Sequence, residues 1–179
     1  MRKALFLTAV FCLVAATTAQ AAADKIAVFS SRAVASQSEP FITARKKIES
    51  QYAPEKNRIE EQMKRVNTQA EELQKQRSTM SREAYAEKSE TFLRAKRNVE
   101  DNAQTFTRKV ETALVRLEQE FTLRLVQAVQ DYGARRGYAV ILDASGPPVL
   151  YADKSVDVTA DIIKELARVY REGKPLPQR

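Results

Sequence analysis

The sequence predicts an α+β protein in which a long antiparallel α-helical hairpin, a coiled-coil-like arm, projects from a small β-rich oligomerisation body. Two observations predict the hairpin. Apolar residues recur at seven-residue spacing along two stretches of the chain, and a short serine-containing segment separates these stretches. A third observation predicts the body, because brief apolar runs bounded by turn residues lie before the first stretch and after the second.

Residues 1–22 have the composition of a cleaved secretory signal peptide. Arg2 and Lys3 form a basic start, an apolar run follows, and Ala19-Gln20-Ala21 offers a small-x-small cleavage site. The apolar run is too short to span a bilayer, so we expect an exported chain that works in the periplasm. Removing Arg2 and Lys3 from the 30 basic residues leaves 28 against 23 acidic residues, a net charge of +5 that favours acidic partners.

The composition excludes several classes of active site. The chain has no histidine, and its one cysteine, Cys12, lies in the predicted signal peptide. These two facts exclude Ser-His-Asp and Cys-His nucleophile pairs and the common zinc sites. The four glycines form no phosphate-binding or dinucleotide-binding loop. We therefore predict a protein that is not an enzyme and that uses no cofactor and no metal.

The first elements in chain order are a strand and a long helix. Lys25 to Phe29 is an apolar run of strand length, and the seven-residue period begins at about Pro40. Pro54 lacks the N–H that a helix interior needs, so we expect a break or kink near Tyr52 to Pro54. This makes Pro54 a candidate hinge, with a simple helix junction as the alternative. The apolar stripe consists of Tyr52, Ile59, Val66, Leu73 and Met80, flanked by Ile48, Met63 and Ala70.

A turn and a second helix complete the arm. Residues 78–81 interrupt the helix formers, and Ser81 with Glu83 reads as an N-cap followed by an acid in the first turn. Two striped helices joined by so short a turn must be antiparallel neighbours, so residues 39–136 form an arm that projects roughly 55 Å. The second stripe consists of Tyr85, Phe92, Val99, Phe106 and Ala113.

Residues 23–38 and 137–179 form the body, because an antiparallel arm brings the two ends of the mature chain together. Apolar runs at 139–142 and 149–151 flank a Ser-Gly-Pro-Pro turn and predict a strand hairpin, and Thr159 is expected as the N-cap of a short helix. A body of this size buries too little surface to be stable alone, which predicts self-association. The residues expected to join the copies are Ile26, Val28, Val140, Ile141, Leu142, Val149 and Leu150.

Three segments resemble the Skp (OmpH) family of periplasmic chaperones: residues 23–28, residues 140–144, and residues 149–166 with the sequence VLYADKSVDVTADIIKEL. The resemblance implies a jellyfish-like homotrimer with three helical tentacles around a cavity. It also implies an ATP-independent holdase that keeps outer-membrane β-barrel proteins unfolded but soluble, and binding of lipopolysaccharide by basic residues on the arms in some members. Pro54 and an extension at the C-terminus depart from the family pattern.

Candidate contact residues lie on the arm. Client contacts are expected from the apolar side chains of Met63, Met80, Tyr85 and Phe92, with packing inside the hairpin as the alternative. Lipopolysaccharide or anionic lipid headgroups are expected at the densest basic cluster, Arg94, Lys96 and Arg97.

A structural coiled-coil or adaptor protein of the cell envelope, binding one folded partner, is the alternative function. A nucleic-acid partner is not expected, because no basic motif with interleaved aromatic residues is present.

Overall fold

The computed structural model describes residues 25–173, so the predicted signal peptide and residues 174–179 lie outside the described part of the chain. The prediction of a long helical hairpin with a small strand-containing body is confirmed. Helix α1 was not predicted from the sequence pattern. The elements in order are β1 (Lys25–Phe29), α1 (Ser31–Gln37), α2 (Glu39–Gln76), α3 (Arg82–Arg136), β2 (Tyr138–Asp143), a 3₁₀ turn (Lys154–Val156) and α4 (Thr159–Glu172).

The helices of the hairpin begin and end at residues that satisfy their free backbone groups. The Ser81 side chain accepts a hydrogen bond from the backbone N–H of Ala84 at 3.2 Å, so Ser81 is the N-cap of α3 as predicted. At the other end Gly137 adopts a φ of 69°, the left-handed conformation that glycine tolerates best. The hairpin turn between α2 and α3 therefore occupies residues 77–81.

Pro54 lies inside α2, which continues as one helix through the position where a break was expected. An interior proline costs a helix about 3 kcal/mol, because it removes one hydrogen bond and its ring crowds the preceding turn. Packing against α3 offsets this cost, because Ile59 is buried beyond Pro54 and two aromatic pairs lie before it, toward the base. The Tyr52 and Phe106 rings meet edge to face at 6.2 Å, and the Phe41 and Phe121 rings are 4.4 Å apart near the base.

The two strands pair in parallel, which confirms that the ends of the chain meet at the base of the arm. Ala27 lies opposite Ile141, and Val28 lies opposite Leu142. The far edge of β1 is partly occupied, because the carbonyl of Val28 accepts a hydrogen bond from the N–H of Val158 at 2.9 Å.

The second strand predicted at residues 149–151 is wrong for the single chain, in which this segment has no strand partner. Side chains at the end of β2 explain the difference. Asp143 accepts a hydrogen bond from the N–H of Ser31 at 3.1 Å, and Ser145 accepts one from the N–H of Arg32 at 3.1 Å. The chain that leaves β2 is thus tied to the first turn of α1 and does not fold back along β2.

The hydrophobic core lies at the base of the arm, where α4 packs against α3 and α1. Ile162, Leu166, Val169 and Val34 are fully buried there. Helix α4 begins at Thr159, one residue earlier than a Thr159 N-cap would place it, and the Thr159 hydroxyl instead accepts a hydrogen bond from the N–H of Ser30 at 3.0 Å. The core therefore joins both ends of the described chain to the lower part of α3.

Candidate functional site

An apolar surface lies on the outer face of the two-stranded sheet. Because side chains alternate along a strand, Ala27 and Ile141 face the core while Ile26, Val140 and Leu142 face outward. The outward residues are 55%, 43% and 40% exposed, whereas Val28 is buried. Strand residues of this kind are stable when another apolar surface covers them, so this outer face is a candidate assembly surface.

The segment after β2 adds further exposed apolar groups. Leu150 and Tyr151 are 94% and 85% exposed, and Val149 is half-buried. A single exposed leucine is common on protein surfaces, but two adjacent large apolar side chains this open indicate a candidate interaction surface. The predicted assembly residues are thus divided by the fold: Ile26, Val140, Leu142 and Leu150 are exposed, Val149 and Ile141 are half-buried, and Val28 is buried.

An apolar groove of about 590 Å³ runs between the core face of the sheet and α3. It lies beside β2, with Ser31, Arg32 and Asp143 at its polar margin. Sequence reasoning did not find this groove, because its walls come from four separate elements. The apolar lining residues are Phe29, Ala35, Phe121, Leu125, Val126, Val129 and Ile141.

The four candidate client contacts occupy different environments on the arm. Met63 is 46% exposed at the flank of the hairpin seam, while Met80, Tyr85 and Phe92 are half-buried. The guanidinium of Arg77 lies 5.7 Å from the centre of the Tyr85 ring, which places a cation beside this aromatic group.

Near the tip a groove of about 430 Å³ opens between α2 and α3. Phe92 and Leu73 supply apolar walls, and Lys88 donates a hydrogen bond to the side-chain carbonyl of Gln76 across the groove at 3.0 Å. The groove combines apolar walls with one cation, Lys88, and two carboxylates, Glu72 and Glu87, so it can contact extended chains of varied sequence. Of the candidate contacts, Phe92 is the one that lines it.

The basic cluster predicted on α3 is divided by helix geometry. Arg94 and Arg97 are three residues apart and lie on one face, whereas Lys96 lies roughly 160° from Arg94 around the helix. Arg94 pairs with Glu90 at 2.8 Å, and Lys96 is 3.8 Å from Glu100. Within residues 25–173, Arg97 has no acidic partner. The cluster is therefore a mixed-charge surface with one uncompensated arginine.

A charged cluster between α3 and α4 was missed by sequence reasoning. Glu165 is 7% exposed and accepts hydrogen bonds from Arg135 and Arg168, and Arg168 also contacts Asp131 at 3.1 Å. Burial raises the pKa of Glu165, but the hydrogen bonds from Arg168 and Arg135 outweigh burial and hold the pKa below its ordinary value. The spacing of Glu165 and Arg168 on α4 was the available signal. This cluster fastens α4 to the base of the arm.

A buried tyrosine lies beside this cluster. Tyr132 donates a hydrogen bond to Asp161 at 2.9 Å, and burial together with this carboxylate raises the tyrosine pKa to about 12. The phenol is neutral at physiological pH and acts as a structural link between α3 and α4.

The described part of the chain offers neither a metal site nor a membrane span. Within residues 25–173 no group of three or more acidic side chains is arranged to hold a metal ion. None of the helices in the same range is long and apolar enough to cross a membrane.

The pattern of a long charged hairpin, paired end strands and a capping C-terminal helix is shared with known proteins. The family model described as outer membrane protein (OmpH-like) matches residues 25–166. The chain belongs to the OmpH-like family. Proteins of this family are chaperones and not enzymes, and they are periplasmic in general.

A solved structure supports the fold assignment for this OmpH-like chain. The crystal structure of a protein from Caulobacter crescentus CB15, described as an OmpH-like outer membrane chaperone, aligns with a TM-score of 0.59. The two are 19% identical, and the alignment covers 81% of this chain and 85% of the Caulobacter chain. At this identity the likeness shows a shared fold. A search of curated proteins finds no match.

Proposed function

We propose that this OmpH-like chaperone is an ATP-independent holdase of the periplasm, to which the predicted signal peptide delivers it. Its clients are unfolded outer-membrane β-barrel proteins, held between helical arms until they reach the outer membrane. The observation that carries this proposal is the arm, which projects from the core with Met63 exposed and Phe92 in an open groove. Such dispersed apolar groups hold an unfolded chain weakly at many points without imposing a fold.

The chemistry of the clients fits this surface. Unfolded β-barrel chains expose alternating apolar side chains and unpaired backbone groups, which drive aggregation. A basic arm attracts acidic clients over several ångströms, and apolar contacts of modest strength retain them. The sequence offers no nucleotide-binding loop, so ATP hydrolysis cannot drive release of the client. The client must therefore dissociate spontaneously and be captured by its folding at the outer membrane.

An aggregation assay tests the holdase proposal. A urea-unfolded outer-membrane β-barrel protein is diluted into buffer with or without the purified mature chain, and light scattering is followed without ATP. We expect scattering to be suppressed at about one assembled chaperone per client. Absence of suppression with several unrelated barrel clients would overturn the proposal. Pull-down of one folded envelope protein in their place would support the adaptor alternative.

We further propose that the active form is a homotrimer joined through the outer face of the sheet and residues 149–151. The exposure of Val140, Leu142 and Leu150 supports this assembly. Leu142→Asp is the sharper test, because Leu142 is 40% exposed on the outer face while Ile141 packs against the core. Light scattering with mass determination should show loss of the oligomer, and circular dichroism should show retained helix. A trimeric Leu142→Asp variant that holds no client would reverse the assigned roles of body and arm.

Individual arm contacts can be ranked by matched substitutions. Phe92→Ser removes the aromatic wall of the tip groove, and Met63→Ser removes the exposed thioether. We expect Phe92→Ser to weaken client binding severalfold and Met63→Ser, outside the groove, to weaken it less. Leu93→Ser is the control, because Leu93 is 46% exposed and is not among the residues lining the tip groove. Equal effects from all three variants would show that binding follows total apolar surface and not the groove.

Anion binding is proposed for Arg94 and Arg97 alone, since Lys96 faces another side of α3. Arg94→Gln with Arg97→Gln should weaken binding of lipopolysaccharide or of anionic lipid vesicles, while Lys96→Gln should not. A loss from Lys96→Gln about half as large as that from the double variant, in proportion to the charge removed, would indicate a response to net charge.

A further inference from the structure

We propose that the arm is a jointed lever that bends at the level of Pro54, and that the Glu55–Lys109 ion pair is the latch that holds it straight. Such a joint would fit the space between the arms to clients of different size, and this use of it depends on the proposed function. The joint itself is inferred from three features that lie at one height of the arm.

The first feature is the proline. Pro54 has no N–H, so the carbonyl of Ser50 lacks the hydrogen bond that it would receive in an uninterrupted helix. Sharp bends in long helices occur mainly at such positions. Pro54 is exposed on the side of α2 that faces away from α3, so its ring does not interrupt the seam between the helices. The helix is therefore continuous but weakened at one turn.

The second feature lies on α3 at the same height, where Tyr52 meets Phe106. The Thr107 hydroxyl donates to the carbonyl of Ala103 at 3.0 Å, and the Thr112 hydroxyl donates to the carbonyl of Arg108 at 2.7 Å. A threonine that bonds back to the carbonyl four residues earlier loosens the backbone ladder and often bends a helix. Thr68, Thr91 and Thr122 make the same bond at other heights of the arm. The helix α3 can therefore follow a bend opposite Pro54, and the proline sets the height of the joint.

The third feature is the connection between the helices. Lys109 Nζ lies 3.0 Å from Glu55 Oε1, and this is the one ion pair that joins α2 to α3 within residues 25–173. Glu55 follows Pro54 directly and its side chain is 28% exposed, so the pair is partly shielded but open to salt. The other side-chain hydrogen bond between the two helices, from Lys88 to Gln76, lies at the tip. Breaking the latch leaves the apolar seam alone to hold the arm straight at Pro54.

The lever is long enough for a small bend to matter. The part of α2 beyond Pro54 rises roughly 33 Å, so a bend of about 20° moves the tip by about 11 Å. A displacement of this size changes the width of a space bounded by such arms. Neutralising Glu55 or raising the salt concentration should favour the bent form.

Backbone NMR tests the joint in the full mature chain without client. Residual dipolar couplings are measured for the upper arm, residues 56–105, and for the lower α3, residues 113–136, and each set gives an order parameter. In the wild type we expect a lower order parameter for the upper arm than for the lower α3. Pro54→Ala should bring the two values together, and Lys109→Gln should separate them further. High salt should mimic Lys109→Gln.

The controls isolate the latch and the proline. Lys56→Gln removes a pair with Glu60 within α2, at 3.7 Å, and should leave both order parameters unchanged. The exchanged pair Glu55→Lys with Lys109→Glu should restore the wild-type values. If the order parameter of the upper arm is the same in Pro54→Ala as in the wild type, the joint is overturned. If the order parameter of the upper arm is unchanged in Lys109→Gln, the latch is overturned. Neither outcome depends on whether the chain holds unfolded clients, which the aggregation assay decides separately.

Discussion

The two halves of helix α3 show how differently one continuous helix can be stabilised. In the lower half, Phe121, Leu125, Ala128 and Tyr132 are buried, because α1, α4 and the sheet surround this part of the helix. In the upper half, among residues 82–117, Val99 is the buried residue, since α2 covers one narrow stripe. The comparison teaches that the base holds the fold together, while the arm is an extension with little core of its own.

The largest expected loss of stability comes from removing a fully buried side chain at the base. Leu166→Ala removes a side chain with no exposed surface from the junction of α4 and α3, and should lower the free energy of unfolding by about 2–5 kcal/mol. Urea denaturation followed by circular dichroism measures the change. Leu123→Ala, at a half-buried position on the same lower half of α3, is the control and should cost clearly less.

A smaller loss is expected from the same kind of substitution in the arm. Ile59 is 7% exposed but packs along a narrow seam that can close around a smaller side chain, so Ile59→Ala should cost about 2 kcal/mol, the low end for this substitution. Hydrogen exchange should rise in the upper arm while the lower half of α3 stays protected. Equally faster hydrogen exchange in both halves of α3 would show that the arm and the base unfold as one unit, which would contradict their separate stabilisation.

The charged cluster predicts a pH dependence confined to the base. The pKa of Glu165 is lowered in the folded chain, so its stabilisation is present above the ordinary glutamate pKa of about 4.3 and is lost as the pH falls through the lowered value. Glu165→Gln should cost about 1 kcal/mol at neutral pH, and this difference from wild type should vanish in acid. Denaturation curves at several pH values measure it, and a difference that persists at low pH would contradict the assignment.

The smallest expected effect is at the tip. Ser81→Ala removes the hydrogen bond that caps Ala84 N–H, and should cost up to about 1 kcal/mol in local stability. Hydrogen exchange in the first turn of α3 is the measurement, and Ser78→Ala is the control because no hydrogen bond is seen for its side chain among the described residues. A change in the melting temperature of the base would show coupling along the full length of α3.

Much of the arm could be predicted from the sequence, because a helix carries its own hydrogen bonds and a seven-residue stripe specifies its packing face. Ser81 and Gly137 mark helix ends by local chemistry, and both behave as this chemistry predicts. Pro54 was misread as a break because the local rule ignores the packing of Tyr52 and Phe41 on α3. The candidate contacts on the arm could be named but not ranked, since exposure depends on how the helices rotate.

The hairpin, its turn and the meeting of the chain ends follow from the amino-acid sequence, because periodicity, capping and the length of the arm specify them. Other features arise only when the elements pack together. The tertiary structure placed Leu150 and Tyr151 in the open, brought Glu165 between Arg135 and Arg168, and set Glu55 against Lys109 beside Pro54. The physical reason is that these contacts join residues far apart in the chain, so their energies depend on the relative position of elements that no local pattern records.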